Sequence, residues 1–383
     1  MMGLGDAWQE IDLDALRHNA ATALSLAGDA EVFAVVKADA YGHGAARMAE
    51  TLLKSGIRTL AVSCLREALF LRRRFPEAGL LVMGATPDAL LDRAVAGDIA
   101  LALFSLEQGQ ALSRAACALG KTASVHLKLD TGFHRLGMTE AEALRDIPKI
   151  ARLPGLAVEG LFTHLALLDA EHDRAQMAVF ERVAAGLRAQ GIAPRLHVGD
   201  SIALVRYPQW RLDAVRVGAL LYGARPGGSE AMDFALRCTM RVCARIIAVR
   251  DIPAGDAVGY AHFVARRPTR IATLPIGYAD GLSRCLWQRG QAALRGRRVP
   301  YAGLPCMDQI MLDVTDVPEA QAGDIVTLFG AGCDRADGVR GLGGFQPERA
   351  DVPHGAARAV RVPVRRTGRG GGGSPAGRSS LRE

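Results

Sequence analysis

Eight times in its first 225 or so residues, the chain alternates a short apolar run with an amphipathic stretch. The runs fall at 32–36, 59–62, 80–83, 99–104, 124–129, 158–163, 195–198 and 214–221. Residues 44–54, 65–73, 106–119 and 175–189 carry apolar positions at helical spacing. Continuously apolar strands belong to sheets buried on both faces, and so to parallel strands joined by helices. Eight such units predict an α/β fold, a (β/α)8 barrel of the TIM type over residues 14–230. A doubly wound sheet is the competing topology.

The pattern changes after about Gly228. Runs at 242–249, 270–274, 309–314 and 324–328 are separated by turn residues such as Pro253, Gly255, Gly277, Gly303, Pro318 and Gly323, with no long helix between them. A mostly β domain is expected over 235–340. Residues 1–13 contain WQEIDL (8–13), which reads as a strand crossing over to join that domain. From Gly341 the periodicity stops, and 341–383 is an Arg/Gly-rich tail, expected to be disordered or frame-altered.

The polar residues sit where each run ends. Lys37, Lys128, Asp130, His164, Asp200 and Ser201 follow directly after apolar runs, and so does Arg216 if its strand ends near Val215. In a parallel barrel those ends share the face on which active sites form. A strand-end lysine ordinarily buries its stem and keeps its ammonium wet. In this company, Lys37 reads instead as a nucleophilic amine, which needs partial desolvation to be neutral near pH 7.

Bulk properties narrow the alternatives. No apolar run approaches the ~18–20 residues that span a bilayer, and the opening lacks the basic and then apolar start of a signal peptide. Seven cysteines are scattered without C-x-x-C or metal spacing, which suits a reducing cytoplasm, no disulfide frame and no metal. The net charge is +7, but residues 331–383 hold ten arginines against five acidic residues and supply +5 of it. The remainder is not markedly basic, so neither nucleic acid nor membrane is expected as a partner.

VVKADAYGHG (35–44), VHLKLDTGFHRLGM (125–138), FTHLA (162–166), DSIA (200–203), VRVGALLYG (215–223), LPIGYADG (274–281) and CMDQ (306–309) occur in that order. Together they resemble the alanine racemases, pyridoxal-phosphate enzymes built from a barrel and a C-terminal β domain. The resemblance implies that Lys37 is the Schiff-base lysine and one catalytic base. Tyr41, the Ser201 hydroxyl and the N–H groups of Gly218 and Ala219 would hold the cofactor phosphate. Arg216 would face the pyridine nitrogen. Arginine stays protonated at ordinary pH, so it would leave the ring neutral, a weak electron sink that favours quick reprotonation. His164 would hydrogen-bond that arginine.

Arg135 would meet the cofactor phenol oxygen and the substrate carboxylate. Lys128 would be carbamylated to position Arg135; an ordinary Lys128–Asp130 surface pair is the alternative. Tyr260, in AVGYAHF (257–263), would be the second base, contributed by the partner subunit of a homodimer. Tyr278 and Met307 would line the mouth and the carboxylate pocket, with Asp308 supporting that loop and Cys306 packing. The implied activity is racemisation of L- and D-alanine by two bases, in the cytoplasm, supplying D-alanine for peptidoglycan. A non-catalytic pyridoxal-phosphate carrier, a racemase of another small amino acid such as serine, and an amino-acid decarboxylase are the alternatives. Arg216 and CMDQ count against the decarboxylase.

The chain departs from the family pattern at five places, one of them the segment before LPIGYADG, which is one residue short. Asp200 replaces an asparagine and is expected to point away from the phosphate or pair with an arginine. Val217 replaces a proline, and Ala261 a glycine. No tyrosine follows Tyr301, although the family ends on a tyrosine-bearing strand, and RVPVRR (361–366) only echoes its last motif. The abrupt loss of periodicity after about Gly332 is what a reading-frame change would produce.

Overall fold

The computed structural model describes residues 6–227 and 233–330. A first strand, β1 (Ala7–Ile11), precedes eight parallel strands that close into a barrel. These are β2 (Glu31–Val35), β3 (Thr59–Val62), β4 (Gly79–Val82), β5 (Ala100–Leu103), β6 (Ala123–Lys128), β7 (Leu156–Phe162), β8 (Arg195–His197) and β9 (Ala214–Val217). Closure comes from β2 pairing β9, with Phe33 opposite Arg216. A closed ring excludes the doubly wound sheet.

Side chains alternate across each strand. Val32 and Ala34, Leu60 and Val62, Leu80 and Val82, and Val215 and Val217 pack outward in the large core shared with the helices. Phe33, Val35, Ala61, Leu81 and Ala214 form a separate cluster, on the opposite face of the same strands. On β6, β8 and β9 the corresponding positions carry His126 and Lys128, His197 and Arg216, all buried. The barrel interior is therefore apolar on one side and polar on the other.

The helices start where side chains satisfy their first N–H groups. Asp12 accepts from Asp14 and Ala15 at the head of Leu13–Ala27, and Thr139 forms a capping box with Glu142. Asp169 caps Ala170–Arg188, so this helix begins five residues before its apolar pattern at 175 suggests.

After the barrel come β10 (Met240–Arg245), β11 (Ala248–Ile252), β12 (Ala257–Val258), β13 (Phe263–Val264), β14 (Thr269–Leu274), β15 (Gln291–Leu294), β16 (Arg297–Pro300), β17 (Ile310–Asp313) and β18 (Ile325–Phe329). One sheet has the order β1-β10-β18-β15-β16, a second β11-β14-β17, and β12 pairs β13. The N-terminal strand joins this region, with Trp8 opposite Cys243. The run expected at 242–249 is two strands, because the chain changes sheets there. Ile246 donates to Asp324 O and Ile247 to Thr273 O, one in each sheet. The tail at 341–383, RVPVRR, the frame change after about 332, and the ends of both expected domains at 228–230 and 331–340 lie outside the described residues. Among the described residues no helix is long and apolar enough to cross a membrane, and no cluster of His, Cys, Asp or Glu could hold a metal ion.

Candidate active site

Directly after β2 the backbone makes a left-handed turn. Ala38, Asp39, Ala40 and Tyr41 have φ of 51°, 55°, 55° and 56°. That conformation is unfavourable for L-residues, at roughly 1–2 kcal/mol each, so the surroundings must impose it. Ala38 N donates to Glu67 Oε1 at 2.7 Å, and Ala45 N to Asp39 Oδ1 at 2.7 Å. Ala40 N reaches Val36 O, Gly42 N reaches Ala38 O, and Gly44 N reaches Asp39 O. The turn carries Lys37 and Tyr41, with Lys37 Nζ 5.9 Å from the Tyr41 ring centre. Lys37 is half-buried. Burial, then the Arg135 and Arg216 cations, hold its pKa below the usual lysine value, against Glu67 and Asp200.

At the end of β8, Asp200 caps the short helix Ser201–Arg206, accepting from Ile202 N and Ala203 N at 2.9 Å. Of the two expectations for Asp200, pairing with an arginine is not met: its carboxylate serves the backbone, as the replaced asparagine also could. Ser201 is therefore not the cap. Its Oγ accepts from Gly218 N at 3.1 Å and Leu220 N at 3.2 Å. Gly218 lies against Tyr41, whose ring packs 4.6 Å from that of Tyr222. Burial, then Asp200, pushes the Tyr41 phenol up to about 12, so it is a hydrogen-bond donor at working pH. Ser201, Tyr41, Gly218 and Ala219 thus converge at the ends of β2 and β9.

Arg216 is buried and fully engaged through its terminal nitrogens. Nη1 meets His197 Nδ1 at 3.0 Å and His197 O at 2.8 Å; Nη2 donates to Thr163 O at 2.7 Å and Val198 O at 2.9 Å. Nε takes no part in these four bonds. The expected His164–Arg216 hydrogen bond is not formed: the histidine against Arg216 is His197, whose ring lies on β8 beside β9. His164 instead packs on Phe133, with ring centres 5.1 Å apart. Burial and then the Arg216 cation lower its pKa to about 3, so it is neutral.

Lys128 is also buried, and donates to Leu129 O at 2.7 Å. The alternative surface pair with Asp130 is absent, because Asp130 Oδ1 accepts from the N–H groups of Gly132, Phe133 and His134. Burial, Arg216 and Arg135 bring the Lys128 pKa down to about 7, against Asp130. Arg135, on the loop after β6, is exposed with its guanidinium 4.4 Å from the Phe133 ring centre.

Tyr260, Tyr278 and Met307 do not join this group through the bonds above. They lie on the β domain, 60%, 37% and 54% exposed. Exposure of Tyr260 rules out a buried core tyrosine. Gly277 lets two loops touch: a Cβ there would meet Met307 O at 2.2 Å, while Tyr278 N donates to Cys306 O. Four residues were not foreseen: His126, His197, Tyr222 and Gly160. Only the inward period-2 position of His126, two before Lys128, could have signalled any of them.

Four cationic side chains, three of them at least half-buried, surround a neutral histidine and a set of hydroxyl and N–H donors. Such a site accepts a phosphate or carboxylate and keeps an amine partly unprotonated. Among the described residues no carboxylate hydrogen-bonds Arg216, so an aromatic nitrogen there would meet a fixed cation.

Comparison with known proteins agrees with this chemistry. Residues 11–226 match the family model described as alanine racemase, N-terminal domain, and residues 239–341 match alanine racemase, C-terminal domain. The chain is 42% identical over 342 residues to the alanine racemase of Desulfosudis oleivorans, covering 85% of this chain and 87% of that protein. It is 40% identical over 329 residues to that of Desulfovibrio desulfuricans, covering 84% and 89%. Among solved structures, the alanine racemase of Clostridium difficile 630 superposes with a TM-score of 0.82 at 33% identity, over 88% of this chain and 90% of that one. The alanine racemase of Bartonella henselae with covalently bound pyridoxal phosphate gives a TM-score of 0.78 at 30% identity, over 85% and 90%.

Proposed function

The chain belongs to the alanine racemase family of isomerases, and we propose that it interconverts L- and D-alanine using pyridoxal phosphate and two bases. The observation that carries this is Lys37: a half-buried amine with a lowered pKa, near the Arg135 and Arg216 cations and on the turn whose Tyr41 lies against Gly218. When bound, the cofactor supplies an aldehyde for amino groups and a conjugated ring that delocalises negative charge from Cα.

Lys37 Nζ would be the residue that holds the cofactor, and when free its amine would remove or return a proton on one face of the substrate Cα. Burial, then the Arg135 and Arg216 cations, favour its neutral form relative to an ordinary lysine. Tyr260 of the partner subunit serves the other face, since inversion needs a proton donor or acceptor on each side. Ser201, Tyr41, Gly218 and Ala219 hold the phosphate through neutral donors. Arg216, its Nη groups tied down, offers Nε to the pyridine nitrogen without surrendering a proton. His164 lies at the same mouth as a neutral cofactor contact. Arg135 takes the substrate carboxylate, and a carbamylated Lys128 would orient it. Tyr278 and Met307 of the partner subunit complete the mouth. Their exposure in one chain suits an interface between two copies, and the active unit in this reading is a homodimer. The product D-alanine suits peptidoglycan synthesis in the cytoplasm.

Borohydride reduction in the presence of pyridoxal phosphate, followed by peptide mapping, tests this reading. A pyridoxyl label on Lys37, with L-alanine losing its circular dichroism over time, supports it. A label elsewhere sinks it, and a label with stable dichroism indicates a carrier.

A further inference from the structure

Two buried rings lie behind Arg216, and the roles above leave both unused. His197 Nδ1 is 3.0 Å from Arg216 Nη1, and His197 Nε2 is 2.8 Å from His126 Nδ1. An arginine nitrogen can only donate. His197 Nδ1 therefore accepts and carries no proton. Burial, Arg216 and the neighbouring His126 keep His197 neutral, so its one proton is on Nε2. That N–H donates to His126 Nδ1. His126 is neutral as well, held there by burial and then Arg195 and Arg216, and its proton is on its own Nε2. Each tautomer follows from the one before it, starting at the arginine.

The barrel is shaped around the second ring. A Cβ on Gly160, in β7, would stand 2.1 Å from His126 Nδ1. Gly160 does not have the positive φ that favours glycine, so its role is to leave room. The β6–β7 register also shifts between Val125 and His126. Phe33 meets both rings by its edge, with centres 6.1 Å and 5.3 Å away, and Phe162 stacks on His197 at 4.8 Å and 7°. These contacts oppose rotation of either imidazole.

We propose that His126 is a positioning residue that locks His197 as its Nε2–H tautomer, and so holds Arg216 aimed as an undiminished cation. If His126 stops accepting, the proton on Nε2 loses its buried acceptor, and the Arg216 N–H at Nδ1 is left as the one contact holding this tautomer. The other tautomer would set an N–H against the Arg216 N–H and turn the guanidinium. The link from Arg216 to the cofactor rests on the function proposed above; the tautomer lock does not.

Long-range 1H–15N spectra of protein labelled at histidine test the lock without substrate or cofactor. In the wild type, His197 should show one protonated Nε2 and one unprotonated Nδ1 at neutral pH. In His126→Phe its two nitrogens should move toward averaged shifts, and with cofactor kcat should fall roughly tenfold while KM stays within about twofold. His126→Asn, whose Oδ1 can accept in place of Nδ1, should restore both readings. Gly160→Ala, which displaces the ring without deleting it, should reproduce the spectrum of His126→Phe. A wild-type His197 protonated on Nδ1 overturns the proposal. So do His197 shifts that stay the same in His126→Phe and in Gly160→Ala. A normal tautomer pattern without a pyridoxyl label on Lys37 would remove the proposed function and leave the lock standing.

Discussion

The Tyr41 phenol oxygen lies 2.6 Å from the point where a Cβ on Gly218 would stand. Gly218, at φ −122°, is not in the left-handed region that calls for glycine, so the clash is one of space. Its N–H already reaches Ser201. Gly218→Ala should therefore displace Tyr41 and loosen the phosphate end, raising the Kd for pyridoxal phosphate about tenfold, or roughly 1.4 kcal/mol. Absorbance titration measures this. Adding Tyr41→Phe, which deletes the clashing oxygen, should recover part of the loss. Equal affinity in wild type and Gly218→Ala would mean that Tyr41 does not sit on the cofactor.

Buried histidines should make the fold sensitive to acid. Burial is the largest cause in each case: His43 is lowered to about 4, and His126 and His164 to about 3. Between those values and the ordinary 6.5, the unfolded chain binds protons that the native state refuses. Stability thus rises with pH across that window and is lost as pH falls below 6.5. His43→Asn should lower the slope between pH 6 and 5 by about 1.4 kcal/mol per pH unit. Urea unfolding at several pH values is the check, and a flat profile contradicts it.

The barrel was legible because most of the strands β2 to β9 are short, nearly continuous apolar runs, which points to buried parallel strands and so to the fold class. Lys37 and Arg216 were legible as charges ending such runs. His126 and His197 were not, since a lone histidine inside an apolar strand looks like core, and only closure of the sheet brings the two rings together. β15 and β16 escaped for another reason. Gln291–Leu294 and Arg297–Pro300 are four residues each, and the second opens on two arginines, so their pairing rests on a turn rather than on a long apolar pattern. The partner of Arg216 was assigned to His164 by motif, whereas register alone decides that His197 stands beside it.

Tyr260 sits between two left-handed residues, Gly259 at φ 58° and Ala261 at φ 61°. Alanine is strained there by roughly 1–2 kcal/mol, while glycine would give back roughly 0.5–1 kcal/mol through a freer unfolded chain. Ala261→Gly should thus raise stability by at most about 1.5 kcal/mol, with kcat equal or higher. Gly259→Ala should be worse, because its Cβ would also meet Met311 Cε at 2.8 Å. Denaturation midpoints and kcat for the two variants separate the cases. A large loss of kcat in Ala261→Gly would show that the strain itself places the phenol.

Lys128 has the properties of an amine that captures carbon dioxide: it is buried, it has no carboxylate hydrogen-bonded to it, and its pKa is about 7. The unfolded lysine titrates near 10.5. Between those values the unfolded chain binds a proton that the native state lacks, so stability should rise with pH from about 7 upward. Carbamylation turns the side chain into an anion among Arg135, Arg216 and Lys37, and would stabilise the native state further. Protein incubated with 13C-bicarbonate should show one slowly exchanging carbamate resonance, absent in Lys128→Met. That variant should also lose the pH slope above 7, and its KM for alanine should rise as Arg135 loses its anchor. A carbamate signal that persists in Lys128→Met would move the modification to another lysine, and Lys37, the other half-buried amine of the mouth, would be the first to examine.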